Sequence, residues 1–310
     1  MAKVYQFVGK FGSNGSGDGQ FSFTGGNTNG LNNCGIAVDA TQIYVLDPGN
    51  SRVQIFNRTT FAYISQFGTA GSGNGQFSSP VDINVDGTYI FVLDRGNNRI
   101  QRFTLAGVYS DQAALGGGNW SCMAYDASFL YVFGDNGISN ALLSTVNKSS
   151  MVVAAIGPYD TYQSAAVMGV GSTYVYSCYN YNGAARLAVR IPYPIAGATV
   201  LSGSNNLSNG ITIDSNYIYI VETNQNRVRS YDLSTLVYTD YFGAIGSTDG
   251  LFTSPGRIFY YDNKLYVVDV GNSRVQIFDW SYPNPPSAPT SLVASCGGAG
   301  NIVLDWVDNS

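Results

Sequence analysis

An acidic residue followed five positions later by an arginine recurs through this chain: Asp47 and Arg52, Asp94 and Arg99, Asp269 and Arg274, and the variant Glu222 and Arg227. Asn50, Asn97 and Asn272 stand two residues before the arginine in the first three. A carboxylate beside a guanidinium can serve acid–base chemistry or bind an ion. A second stretch invites a different chemistry. In FGSNGSGDGQF, residues 11–21, glycines at 15, 17 and 19 surround Asp18, as in a loop that cradles a phosphate or a hard cation on backbone and acidic oxygens.

Both features are repeated, and repetition argues against chemistry, because a catalytic group is needed once per site. The glycine stretch returns as FGTAGSGNGQF (67–77) and FGAIGSTDGLF (242–252), with Asp18 replaced by Asn74 and then Asp249. A phosphate loop opens a helix, and no helical period follows any copy. These glycines read instead as joints that need positive φ and close backbone packing. The first copy continues into a longer segment, SFTGGNTNGLNN (22–33), a candidate exposed loop. For the acidic and arginine pairs, the expectation is that Asp and Asn bond turn backbone while Arg returns on the next strand and ties the turn shut.

The elements that carry these residues are strands. IYVLDPGNSRVQIF (43–56), IFVLDRGNNRIQRF (90–103), IYIVETNQNRVRSY (218–231) and LYVVDVGNSRVQIF (265–278) are copies of one unit, and weaker copies begin at Leu130 and Thr173. The opening aromatics, Tyr44, Phe91, Tyr131, Tyr174, Tyr219 and Tyr266, lie 47, 40, 43, 45 and 47 residues apart. A period of about 40–50 residues built from short β-branched runs around a turn is that of a four-stranded propeller blade. The strong units are preceded by an inner strand, and an outer one ending in Phe-Gly follows in AYISQFG (62–68) and YTDYFG (238–243). The expected fold is all-β: a six-bladed β-propeller with four-stranded antiparallel blades. Residues 4–9 resemble an outer strand without a blade, and the sixth unit lacks one. The N-terminal strand is therefore expected to complete the last blade and close the ring, removing two open edges.

Composition narrows the function. Charged residues are 11% of the chain and the net charge is -5, which leaves no basic footprint for nucleic acid. No apolar run spans a bilayer, and MAKVYQFVGK lacks the core of a signal peptide, so no membrane insertion and no secretory leader are expected. Cys34, Cys122, Cys178 and Cys296 are widely spaced and read as buried thiols. Histidine is absent. That removes the commonest general base, the commonest zinc ligand and every Ser-His or Cys-His dyad.

On Asp47, Gly49, Asn50, Arg52, Val53, Gln54 and Phe56, and on their copies, the sequence over roughly residues 3–279 resembles the NHL-repeat β-propellers. Blades three and four lose the Asp-Gly-Asn-Arg set and are the places for private loops. The resemblance implies a site at one end of the central channel, where the inner strands begin with Gly35, Asp82, Cys122, Ala165, Gly210 and Arg257. Six-bladed lactonases, which such a fold resembles, hold a divalent cation in a ring of Glu, Asp and Asn; lyases among the NHL relatives use histidines with a metal. This chain offers one carboxylate and an arginine in that ring, so no metal and no cofactor are expected.

The domain reading is a propeller over 1–279, a Pro-rich linker over 280–289 and a segment over 290–310. The segment resembles the opening of a fibronectin type III domain, with Ile302, Leu304 and Trp306 alternating inward. Two of about seven strands cannot bury a core alone: the segment continues in a longer chain, is donated to another subunit, or stays disordered. The expected function is a non-enzymatic scaffold or recognition protein for protein or glycan, in a virion as a tail-associated component or on a cell surface, with neighbouring subunits as further partners. Tyr162, Tyr179 and Tyr181 in DTYQS (160–164) and SCYNYNGAAR (177–186), with Asp82 and Arg257 at the channel, are the candidate binding residues. The tyrosines offer contact area at low entropy cost, or merely cover sheet edges. A lactone- or glycoside-cleaving enzyme near Asp82 and an extracellular sensor domain are the alternatives.

Overall fold

Alternating Val, Ile, Leu and aromatic residues bounded by Asp, Asn and Gly fold into antiparallel sheets that stack face to face around an axis. The computed structural model describes residues 4–24, 34–135, 141–160, 165–170, 175–181, 184–189, 199–204, 208–281, 292–297 and 301–306, with side chains over 5–24, 34–134, 142–153 and 209–279. Six four-stranded sheets form the blades of a propeller. Blade one contains Ile36–Val38, Gln42–Asp47, Arg52–Asn57 and Tyr63–Phe67, from inner strand to outer. Blade six contains Pro255–Tyr261, Lys264–Asp269, Arg274–Ser281 and, as its outer strand, the N-terminal Val4–Phe11. The inner strands adjoin in chain order and the sixth returns to the first, so the ring is closed. The closing strand is two residues longer than residues 4–9, and the strand it pairs with runs to Ser281. Leu292–Gly297 and Asn301–Trp306 form a separate antiparallel pair.

The second strands carry the middle of the core. Tyr44, Phe91, Tyr219 and Tyr266 are fully buried, as are their flanking aliphatic residues. Each of these second strands ends in a one-turn 3-10 segment closed by a left-handed residue: Ser51, Asn98, Asn226 or Ser273. The turn glycine is therefore not the residue with positive φ. Gly49 is required by proximity, since a Cβ there would lie 2.6 Å from Ser22 O, in the joint leading into its blade.

The three glycine stretches are those joints. Each leaves the outer strand of one blade and docks on the hairpin of the next. Their amides are occupied: Gly15 N–H donates to Phe21 O at 3.1 Å, Gly17 N–H to Gln20 Oε1 at 3.0 Å and Gly19 N–H to Gln54 Oε1 at 2.8 Å. Gly71, Gly73 and Gly75 repeat the pattern on Phe77 O, Gln76 Oε1 and Gln101 Oε1. A phosphate would find none of these glycine donors free. The phenylalanines at both ends of each joint close on the phenylalanine ending the next blade's third strand. Phe11 and Phe21 meet Phe56, Phe67 and Phe77 meet Phe103, and Phe242 and Phe252 meet Phe278, all with centroids 4.4–5.7 Å apart.

Candidate functional site

Five inner strands break register near the start, between Pro80/Asp82, Trp120/Cys122, Ala165/Val167, Ser208/Gly210 and Pro255/Ile258. The extra residue re-aims the side chains beyond it. Inner strands consequently begin earlier than the sequence suggests, at Pro80, Asn119, Ser208 and Pro255. In blade four the position matching Asp82 is Val167, not Ala165, because a bulged residue cannot be seen in an unaligned β-branched run.

The bulges bring Asp82 of blade two and Arg257 of blade six together across the channel, with the Arg257 guanidinium 3.4 Å from Asp82 Oδ2. Both are buried, at 6% and 5% exposure. Asp82 Oδ2 also accepts Met123 N–H of blade three at 2.7 Å, and Oδ1 accepts Ile83 N–H at 3.0 Å. Arg257 donates to Ser121 O, again in blade three, at 2.9 Å. Burial pushes the Asp82 carboxyl up, and Arg257 and the two amides only partly offset it. Each carboxylate oxygen accepts a backbone amide, and the pair ties three blades across the axis. Further along, Asn84 Nδ2 donates to Met123 O at 2.9 Å and Thr212 Oγ1 accepts Tyr260 N–H at 2.9 Å. These side chains satisfy the open inner edges that a ring of blades leaves facing the channel.

Asp82 and Arg257 also line one end of a cavity of about 340 Å³ that runs toward the opposite mouth and is walled further by Ile36, Asn84, Tyr125 and Tyr260. Cys34 and Cys122 sit near the tie, and burial pushes both thiols up to about 12. A thiolate is the reactive form. Both are expected to resist alkylation at pH 8 in the folded protein and to react fully in denaturant, as peptide mapping by mass spectrometry would show; rapid native labelling at either would contradict this burial. Among the described residues, no group of three metal-binding side chains could hold an ion.

The repeated acidic and arginine residues do more than tie their own hairpins. Arg52 donates from Nε to Asp47 Oδ2 at 2.8 Å, and from Nη2 to Gly17 O at 2.8 Å and Gln20 O at 2.9 Å. Asn50 joins Asp47 to Gly15 O, and Asp47 Oδ1 accepts Ser22 N–H. Asp94, Asn97 and Arg99 hold the 67–77 joint through Gly71 O, Gly73 O and Gln76 O. Asp269, Asn272 and Arg274 hold the 242–252 joint through Gly246 O, Thr248 O and Leu251 O. In blade five Glu222 pairs with Arg227, and Arg229 stands 3.4 Å away where the other blades have Gln. Only three residues, 205–207, separate that blade from the strand before it. The full network accompanies the long joint.

Gln54 stood in the repeated motif without a role; with Gln101 and Gln276 it proves to be a fully buried member of that network. Their recurrence two residues after each arginine was the available signal. Sequence reasoning missed the partner of the opening tyrosines. Tyr44, Tyr131 and Tyr219 donate their hydroxyls to Asp39, Asp126 and Asp214, five residues earlier, at 2.8, 2.6 and 2.7 Å. Tyr162 lies outside the described residues, as does 25–33 of the candidate loop. Tyr179 and Tyr181 lie on the second strand of blade four, Val175–Tyr181, with side chains outside the described residues.

A family model described as a 6-bladed beta-propeller matches residues 34–171. No curated protein sequence matches the chain. Solved structures similar to it include the PQQ-bound aldose sugar dehydrogenase from Streptomyces coelicolor, with 12% identity and a TM-score of 0.62 over 90% of this chain and 98% of that one. A nidogen/laminin complex matches with 18% identity and a TM-score of 0.55 over 67% and 79%. A streptogramin B lyase matches with 8% identity and a TM-score of 0.56 over 80% and 93%. At these identities the likeness is one of fold.

Proposed function

We propose that this chain, a six-bladed β-propeller of the NHL-repeat type followed by a fibronectin type III-like segment, is a non-enzymatic recognition or scaffold protein. It binds protein or glycan as a tail-associated virion component or on a cell surface. The observation that carries this reading is the engagement of the channel pair: Asp82 and Arg257 are buried against each other and against the backbone of blade three. The acidic and arginine repeats are likewise engaged in holding joints. Recognition then falls to the blades that lack the repeat, around Tyr162, Tyr179 and Tyr181.

The combined variant Tyr179→Ala/Tyr181→Ala is expected to lose adsorption to host cells or virion partners while keeping the wild-type circular dichroism spectrum. Unchanged adsorption would remove this surface from consideration. Turnover on a panel of lactones and glycosides, abolished by Asp82→Asn, would replace the reading with the hydrolase alternative.

A further inference from the structure

At the mouth opposite the Asp82–Arg257 tie, where inner strands turn into second strands, four blades leave a vestibule of about 460 Å³. This is within the range of small-molecule sites. Its walls include Asp39 and Thr41 of blade one, Asp86 of blade two, Tyr125 of blade three and Phe259 and Tyr261 of blade six. It shares Tyr125, Phe259 and Tyr260 with the channel cavity behind it.

Two of the acids around the vestibule are paired with cations, and Asp39 is held by neutral donors instead. Asp86 pairs with Lys148 at 3.0 Å, and Asp262 pairs with Arg58 at 2.8 Å. Asp39 accepts Thr41 N–H, Gln42 N–H and the Tyr44 hydroxyl, each at 2.8 Å. The aromatic rings already carry cations: Lys148 Nζ lies 5.0 Å from the Tyr125 centroid, and the Arg58 guanidinium 5.0 Å from that of Tyr261. An anionic ligand would meet carboxylates and only cations that are already paired, and a cationic one would enter beside Lys148 and Arg58, which already stand over the tyrosine rings. The Tyr125 and Tyr261 hydroxyls make no hydrogen bond among the described residues, although both rings are half-buried. Burial pushes the Tyr125 hydroxyl up, so it stays a neutral donor.

We propose that this vestibule binds a neutral saccharide of one or two rings, with the Tyr125 and Tyr261 hydroxyls as its hydrogen-bonding partners and Phe259 as its apolar wall. A sugar presents C–H faces and hydroxyls together, the pairing that tyrosine complements. This rests on the recognition reading above and gives it a ligand class and a second surface, away from blade four.

The experiment is titration of the full chain with D-glucose, D-galactose, D-mannose, L-rhamnose, N-acetylglucosamine and their disaccharides, followed by saturation-transfer NMR and calorimetry, with tetramethylammonium as a cationic probe. At least one saccharide is expected to bind saturably. Tyr125→Phe and Tyr261→Phe, which keep the ring and the packing, should each weaken it about 2- to 10-fold, the worth of one neutral hydrogen bond. Tyr261→Ala should weaken it further, and Tyr238→Phe on the outer rim should leave it unchanged. No saccharide binding, binding indifferent to Tyr125→Phe and Tyr261→Phe, or tetramethylammonium binding in preference would overturn the proposal. The two readings separate: a bound sugar that is consumed overturns the recognition reading and keeps the site. Loss of adsorption in Tyr179→Ala/Tyr181→Ala with no saccharide bound keeps recognition and overturns the site.

Discussion

Arg274→Ala is expected to destabilise the propeller by about 3–5 kcal/mol, the usual consequence of removing one partner from a buried ion pair. Asp269 is fully buried, and Arg274 is its only cationic partner among the described residues. The same substitution releases the carbonyls of Ser247, Thr248 and Leu251, which accept from the guanidinium. The joint 242–252 should therefore loosen before the ring unfolds. Hydrogen exchange at Gly246 and Gly250, whose amides donate to Phe252 O and Gln276 Oε1, should speed up by more than exchange in the second strands.

Blade five supplies the internal control. Arg227 pairs with Glu222 at 2.6 Å, but Arg229 stands near the same carboxylate and no eleven-residue joint docks there. Arg227→Ala should cost at least about 2 kcal/mol less than Arg274→Ala in urea unfolding, because Arg229 still faces the buried Glu222 carboxylate and no joint carbonyls are released. Equal costs would mean that the arginine only closes its hairpin, as the sequence alone suggests, and that the joint contributes little.

The difference between those two roles marks how far the sequence could be read. Period, strand count and ring closure were legible because each depends on spacing along one chain, and FGSNGSGDGQF was legible as a joint because it came three times. What the acidic and arginine repeats hold was not legible. Arg52 reaches Gly17 and Gln20, 32 to 35 residues away and in the approach to its blade, not in its own turn. Gln54 looked like one more polar residue in a strand, yet it is fully buried, because a joint carbonyl and a joint amide need it from the same direction. The bulge hid the position of Val167. The vestibule was only half legible: Asp39, Asp86 and Tyr261 each stand five residues before the opening aromatic of their blade and Tyr125 six before its own, so the period puts them at one mouth, but residue types that differ from blade to blade hid that they wall one space.

Ring closure itself has the largest testable consequence. Removing residues 1–11 is expected to abolish the folded monomer. Val4–Phe11 contributes seven paired positions to blade six, and its loss opens the Arg274–Ser281 edge. Three aromatic contacts go with it. Tyr5 stacks on Phe242 at 4.3 Å, Phe7 packs edge-on against Phe278 at 6.0 Å, and Phe11 lies 4.4 Å from Phe56. Phe11 and Phe56 bridge blades six and one, so the truncation strikes the seam as well as the edge. The three rings are half-buried, so each loss costs less than a core aromatic deletion, about 3–5 kcal/mol, but together with the lost strand pairing they reach into the roughly 5–15 kcal/mol that holds a typical domain folded. An unpaired, apolar edge also templates association, so the truncated chain should elute as oligomers or precipitate. The peptide of residues 1–11 added during refolding should restore the monomer and its spectrum, because only backbone pairing and three side chains are missing. A truncated chain that stays monomeric with a wild-type melting temperature would show that the first and last blades hold together without the N-terminal strand, and that the seam is closed by the 12–24 joint on Asp47 and Arg52 instead.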